Sequence, residues 1–285
     1  MNATLTDVEV AEIERAKASG RRSVVFVHGL WLLSSSWDRW REEFERAGYA
    51  VVAPSWPDDP ATAEEARRRP GVFAGKSVHQ VTDLYLEAFS ALNGLPAVVG
   101  HSFGGLIAQK IAGAGASAVT VSIDNAPFKG VLALPRASLK SAAPVLSNPA
   151  NANRAVTLTF EQFRFGWANN LDEVEARELY ETYHVPAPGR PLFQAAFANV
   201  NPMGKATAVD TRNPERGPLL IIAGAQDNTV PLAITRASYR IQAKNPGVTE
   251  IAEIPGRGHS LIIDHGWKEI SDTALSFVQT HLPAA

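Results

Sequence analysis

The chain has 285 residues, 45% of them hydrophobic and 20% charged, enough apolar material for a large core in one or two domains and no sign of bulk disorder. Its 27 basic and 29 acidic residues nearly cancel, so no global field concentrates a polyanion and nucleic acid is not an expected partner. The absence of cysteine excludes disulfides, iron–sulfur clusters, thiolate zinc sites and a cysteine nucleophile.

In chain order, the first twenty residues carry acidic groups and no apolar signal core. They read either as a helix from about Val8 to Lys17 or as irregular chain. No apolar run approaches the roughly 18 residues that span a bilayer, so a cytoplasmic protein without a membrane partner is expected. Short apolar, β-branched runs at 23–28, 50–54, 96–100, 118–124 and 218–223 read as strands buried on both faces, and the alternating run 248–254 reads as an edge strand. Between the first two, Trp37, Trp40, Phe44 and Ala47 mark one face of a helix opened by Ser36 and stopped at Gly48. Arg67, Arg68 and Arg69 follow Glu64 and Glu65 and read as a solvated helix end or loop. Ser77 and Gln80 form a capping-box pattern ahead of a helix from about Val78 to Leu92, closed by Asn93 and Gly94. Further helices are expected at 103–112, at 231–243 behind Pro231, and at 267–281, where Trp267, Ile270, Ala274 and Phe277 share a face. Strands alternating with helices define an α/β fold with a mostly parallel, doubly wound sheet. From 127 to 213 no strand run appears, only helical stretches near 136–146, 158–169, 172–183 and 190–199. The expected organisation is therefore a core of 1–126 and 214–285 interrupted by a helical cap, 127–213.

The chemistry concentrates at Gly100-His101-Ser102-Phe103-Gly104-Gly105, between a strand and a helix. A serine hydroxyl acts as a nucleophile only when exposed on a tight turn, and small residues two before and two after let the backbones approach closely. The turn also leaves the Phe103 amide at a helix start, free to face a developing oxyanion. After the first strand, His28-Gly29-Leu30 lets the chain turn so that the Leu30 amide supplies the second donor, with His28 as scaffold rather than base. Trp31 is either a wall of the substrate pocket or core packing. Asp227 follows the fifth strand and His259 follows the sixth among glycines. Both therefore reach the sheet edge that carries Ser102, where ligands collect in open α/β sheets.

These motifs, in the order Ser, Asp, His, resemble those of the α/β-hydrolase superfamily over about residues 21–281. The resemblance implies Ser102 as nucleophile, His259 as general base and acid, Asp227 as the orienting carboxylate, and the Leu30 and Phe103 amides as oxyanion donors. Some relatives place the acid after the preceding strand, which makes Asp124 a competitor for Asp227. The two antiparallel strands that open the fuller family pattern are not readable here. A serine disfavours the branches that use a carboxylate nucleophile. The expected activity is a cofactor-independent serine hydrolase acting on a small to medium, largely apolar ester or lactone. The alternatives are a perhydrolase, cofactor-free haloperoxidase, lyase or acyl transferase with the same triad, or a binding protein on the same fold. The cap is rich in aromatics, Phe128, Phe160, Phe163, Phe165, Trp167, Phe193 and Phe197, and Phe128 is a candidate substrate contact. Of the remaining histidines, His101 reads as packing, His79 and His184 as solvated or core, and His265 and His281 as surface. No H-E-x-x-H or similar spacing occurs, so neither metal nor cofactor is implied. Tyr180 and Tyr183 read as a shared packing face or, less simply, as polarising groups for a substrate oxygen.

Overall fold

The computed structural model describes residues 5–284. Helix α1 (Asp7–Ala18) opens on a capping box in which Thr6 and Glu9 exchange hydrogen bonds, so the helical reading of this stretch holds. Strand β1 (Ser23–Val27), helix α2 (Asp38–Arg46) and strand β2 (Ala50–Val52) follow. Ser36 does not cap α2. It lies in a 3-10 turn, Ser34–Trp37, with its hydroxyl donating back to the Leu33 carbonyl (2.7 Å), and α2 starts after it. Gly48 stops α2 with φ +97, and the Tyr49 and Gly48 amides donate to the Phe44 and Glu45 carbonyls.

The short helix α3 (Ala63–Arg68) holds the arginine run. Arg68 and Arg69 pair with Glu64 and Glu65 as a solvated face. Arg67 departs from that expectation: its guanidinium donates to the carbonyls of Glu181 (2.6 Å) and His184 (2.9 Å) and so caps a distant helix. Helix α4 (Val78–Ser90) opens on the Ser77/Gln80 capping box. Then come β3 (Ala97–His101), α5 (Phe103–Gly113) and β4 (Val119–Ile123).

The 127–213 stretch contains α6 (Arg136–Leu146), α7 (Phe160–Gly166), α8 (Glu173–Tyr183) and α9 (Arg190–Ala196). It also contains two strands that the periodicity does not reveal, β5 (Ala155–Val156) and β6 (Ala187–Pro188), paired antiparallel. Two residues are too few to show an alternating pattern, and one of these is a proline. The chain closes with β7 (Leu219–Gly224), α10 (Leu232–Gln242), β8 (Thr249–Ile254) and α11 (Trp267–His281).

The main sheet is parallel throughout, in the order β2-β1-β3-β4-β7-β8, so β8 is an edge as its alternation predicts. Among the described residues no antiparallel strands precede β1. The chain steps outward from β1 to β2 and returns on the other side to β3. This reversal opens a crevice at the carboxyl ends of β1 and β3. Helix α5 packs on β1, β3 and β4 with α4 against it, while α2 and α11 pack together. The core is dense in aromatics: Phe26 stacks on Trp37 (4.9 Å) and meets Phe44 edge-on (5.2 Å). No helix among the described residues is long and apolar enough to cross a membrane.

The turn from β3 into α5 is possible only because both flanking residues lack a side chain. A Cβ on Gly100 would overlap the Gly104 carbonyl, and one on Gly104 would overlap the Val27 carbonyl. We therefore expect Gly100→Ala to destabilise the fold by about 3 kcal/mol or more and Ser77→Ala, which removes one cap, by only about 1 kcal/mol. Urea unfolding midpoints measure both, and equal losses would contradict the close-approach argument.

Candidate active site

Ser102 sits at the apex of that turn with φ +58 and ψ −120, a conformation that costs a non-glycine residue on the order of 1–3 kcal/mol and is held by its surroundings. Its amide donates to the Ile123 carbonyl (2.9 Å), and its own carbonyl accepts from Leu106 (3.1 Å) and Ala126 (3.0 Å). The backbone is thus pinned to β4 and α5, and the hydroxyl is left to point out of the sheet edge.

The loop after β8 brings the His259 ring to this hydroxyl, with Nε2 3.0 Å from Ser102 Oγ. On the other side of the ring, Nδ1 lies 2.6 Å from Asp227 Oδ2. A carboxylate can only accept, so Nδ1 carries the proton and Nε2 is free to accept from the serine. Asp227 is held by its second oxygen, Oδ1, which accepts the amides of Thr229 (2.6 Å) and Val230 (2.8 Å). All three side chains are buried.

The loop after β1 abuts the same serine: a Cβ on Gly29 would stand 2.8 Å from Ser102 Cβ. His28 orients this loop. The Trp56 amide donates to its Nε2 (3.2 Å), which makes Nδ1 the protonated nitrogen, and Nδ1–H donates to the Gly29 carbonyl (2.9 Å). In a trans peptide the carbonyl and the following N–H point in opposite directions. Holding the Gly29 oxygen therefore turns the Leu30 N–H away from His28. The Phe103 N–H is the first amide of α5, where no intrahelical acceptor exists. Behind His28 lies a buried pair, Lys76 Nζ to Asp59 Oδ1 at 2.6 Å, and Asp59 Oδ2 is 3.5 Å from His28 Nε2. Burial lowers the His28 pKa to about 4, aided by the Lys76 charge. It raises that of Asp59 to about 7, although Lys76 opposes the shift.

Two groups at the site, read from sequence only as a cap aromatic and as packing, make contacts the sequence does not reveal. Trp167, at the end of α7, stands perpendicular to the His259 ring with centroids 4.5 Å apart, and its carbonyl accepts the Ser260 amide (3.1 Å). The residues beside it bind the loops that carry Asp227 and His259: Asn169 Nδ2 donates to the Gln226 carbonyl and Asn170 Nδ2 to the Gly256 carbonyl, both at 2.9 Å. His101 does more than pack. Its Nε2–H donates to the His259 carbonyl (3.0 Å), and burial keeps its pKa well below that of an ordinary histidine. The sequence signal for the first group was the aromatic-amide run Trp167-Ala168-Asn169-Asn170, but no local pattern says which loops it reaches.

Of the remaining expectations, Trp31 is buried with φ +61, and its indole N–H donates to the Val156 carbonyl (3.0 Å), tying the β1 loop to β5. Phe128 is buried two residues beyond Ala126, whose amide binds the Ser102 carbonyl. Asp124 is fully buried with φ +41, and its Oδ1 accepts the Gly224 amide (2.7 Å). Burial, and then the charge of Asp227, push its pKa well above the carboxylate range. His79 and His265 are exposed, while His184 is buried against Tyr180, whose hydroxyl is taken by the Leu158 carbonyl (2.8 Å). Among the described residues, His101, Asp124 and His259 are close enough to suggest a metal site. However, both nitrogens of His259 are already committed as above, so His101 Nδ1 and Asp124 Oδ2, which have no hydrogen-bond partner, are left as two donors, too few to hold an ion.

Residues 24–273 match the Alpha/beta hydrolase family, and the chain belongs to it. Among solved structures it is similar to a monoacylglycerol lipase of Paleococcus ferrophilus (19% identity, 92% of this chain and 98% of that one, TM-score 0.64). It is also similar to an extracellular alpha/beta-hydrolase from a Paenibacillus species (19% identity, 90% and 98%, TM-score 0.63). A pyrethroid hydrolase from Sphingobium faniae JZ-2 aligns at 15% identity over 90% and 97%, with TM-score 0.61. No curated protein sequence matches the chain.

The cluster behind the β1 loop gives a pH prediction. His28 titrates lower in the folded state, about 4 against 6.5, so its contribution to stability is complete above about pH 6.5 and is lost as pH falls toward 4. Asp59 titrates higher, about 7 against 3.8, so the fold loses stability as pH rises from about 4 through 7. The two slopes oppose each other. Relative to wild type, in which other buried histidines and carboxyls titrate as well, we expect His28→Gln to lose less melting temperature between pH 6.5 and 4, and Asp59→Asn with Lys76→Met to lose less between pH 4 and 7. Parallel profiles for the two variants would contradict the assignment.

Proposed function

We propose that the chain is a serine hydrolase that cleaves a small to medium, largely apolar carboxylic ester or lactone through an acyl-enzyme on Ser102. The observation that carries this reading is the relay from Ser102 Oγ to His259 Nε2 (3.0 Å) and from Nδ1 to Asp227 (2.6 Å), set against the Gly29–Leu30 peptide. Ser102 Oγ attacks the carbonyl carbon as His259 takes its proton, and Asp227 stabilises the resulting imidazolium. The carbonyl oxygen, now negative, accepts from the Leu30 and Phe103 amides, each worth on the order of 10²–10³ in rate at comparable sites. The proton on His259 passes to the leaving alkoxide, which departs as an alcohol. Water, deprotonated by the same imidazole, then attacks the acyl-serine, and the proton passes from His259 to the departing Ser102 Oγ as the acid is released. In this reading residues 127–213 act as the cap, with Trp167 against the His259 ring and the buried Trp31 and Phe128 as its inner wall, an apolar lining that would favour a neutral substrate. Esterase and lipase appear among the names of the structural neighbours, which supports ester chemistry.

Short-chain p-nitrophenyl esters and a lactone series test this reading. Ser102→Ala is expected to lose on the order of 10⁶-fold in kcat, Asp227→Asn about 10⁴-fold, and a fluorophosphonate to label Ser102 alone. Full turnover by Ser102→Ala would overturn the proposal. Peroxide-dependent halogenation exceeding ester hydrolysis in the same preparation would favour the perhydrolase alternative.

A further inference from the structure

Outside the site, the most anomalous surface lies in the 127–213 stretch. Of the eleven exposed large apolar side chains among the described residues, six fall in two short pieces of it, Leu132, Leu134 and Leu139 in the first and Phe197, Val200 and Met203 in the second. Leu132 is 78% exposed and Met203 86%, values that leave their side chains almost wholly in water. The two pieces are one surface. Asn199 receives the Gly130 amide (2.7 Å) and donates to the Val131 carbonyl (2.8 Å), and Lys129 Nζ donates to the carbonyls of Asn201, Pro202 and Gly204. Soluble monomers rarely keep a contiguous apolar patch of this kind unless something covers it.

Charge indicates what covers it. Residues 127–160 and 185–209, the segments that carry the patch, contain six basic residues and no aspartate or glutamate, whereas 161–184 between them contains six acidic and two basic residues. The six are Lys129, Arg136, Lys140, Arg154, Arg190 and Lys205, and among the described residues none of them forms an ion pair. Arg136 and Lys140 stand on the first turns of α6, beside Leu134 and Leu139 in sequence, Lys140 with its ammonium over the Phe165 ring (4.0 Å), and Lys205 follows Met203 by two residues. A second copy of the chain on a two-fold axis would bring these unpaired cations against their own images. An anionic lipid leaflet instead offers hydrocarbon to the leucines and phosphates to the cations at the same depth.

We propose that this face docks on an anionic lipid surface, with Leu132, Leu134 and Met203 entering the headgroup boundary and Arg136, Lys140 and Lys205 meeting the phosphates. The stretch leaves the Ser102 elbow at Ala126 and reaches Leu132 six residues later, so docking sets the lipid next to the catalytic edge of the sheet. The sequence expectation of no membrane partner rested on the lack of a spanning segment, and peripheral docking needs none.

Co-sedimentation of the full chain with phosphatidylcholine vesicles, with and without roughly one-third phosphatidylglycerol, tests the proposal independently of any esterase activity. Binding is expected to the anionic vesicles and to weaken with added salt. Arg136→Gln/Lys140→Gln/Lys205→Gln should weaken it on the order of 10²-fold, and Leu132→Asp/Leu134→Asp/Met203→Asp at least about tenfold. Both variants should unfold at the wild-type temperature to within a few degrees, since every altered side chain is exposed. Three results would each overturn it: no binding to anionic vesicles at low salt, equal binding to vesicles of phosphatidylcholine alone, or a concentration-dependent dimer that the aspartate variant abolishes, which would assign the face to a second copy.

Discussion

At Gly100 and Gly104 the end of β3, the start of α5 and the end of β1 meet backbone to backbone, closer than any side chain permits. Three features of the site follow from this approach. It forces Ser102 into a positive-φ turn, it sets the first amide of α5 at the sheet edge, and it carries the β1 loop in until Gly29 touches Ser102. None of these depends on a long-range force. They arise because a parallel strand must pass directly into a helix that lies across its neighbours, and only the absence of two side chains lets the helix come down far enough. The strain at Ser102 is borne by the amide and carbonyl bonds to β4 and α5 rather than relieved.

Electrostatics at the site are arranged mainly by burial. His28 and His101 are each kept neutral, with one nitrogen donating to a backbone carbonyl, and each carbonyl belongs to a residue of the proposed machinery: Gly29 in one case, His259 in the other. A neutral imidazole suits this work because it offers a fixed donor without a positive charge that would disfavour the imidazolium proposed for His259. Behind His28, Lys76 and Asp59 form a buried pair whose two partners compensate each other. It costs desolvation, yet it ties the chain before α4 to the loop after β2 that carries Trp56.

Much of this was legible from the residues alone, for identifiable reasons. Strands buried on both faces must be continuously apolar, so five of the six sheet strands stand out, and the edge strand β8 shows itself by alternating. Capping chemistry is local, so Ser77 and Gln80 could be read directly, as could Gly48. The order Ser102, Asp227, His259 and their positions at strand ends follow from the same reading. The illegible parts are those in which one segment answers to another far away. Arg67 looks like its solvated neighbours, but its guanidinium caps α8 more than a hundred residues on. Asn169 and Asn170 look like loop residues, yet their amides hold the Gln226 and Gly256 carbonyls. Ser36 has the right chemistry for a cap and is displaced by a 3-10 turn that the hydrophobic spacing of Trp37 and Trp40 does not register. Spacing describes a segment's relation to itself, and hydrogen bonds between segments leave no trace in it.

The carboxyl pair at the ends of β4 and β7 shows how geometry separates two chemically identical candidates. Asp124 and Asp227 both leave buried strands at the same edge, and either residue type could orient an imidazole. Asp124 is turned inward by its positive φ, and one oxygen is taken by the Gly224 amide, which binds β4 to β7 at the point where the Asp227 loop begins. Its charge would sit in the core next to that of Asp227, so burial and repulsion together favour the protonated form. Asp227, three residues beyond the strand, reaches two backbone amides and the His259 ring, and those donors stabilise a carboxylate. The Asp227 carboxyl is therefore the one placed to orient the imidazole, while the Asp124 carboxyl braces β7 beneath it through the Gly224 amide. That division needs no difference in residue type, only a difference in how far each loop runs before its carboxyl turns back.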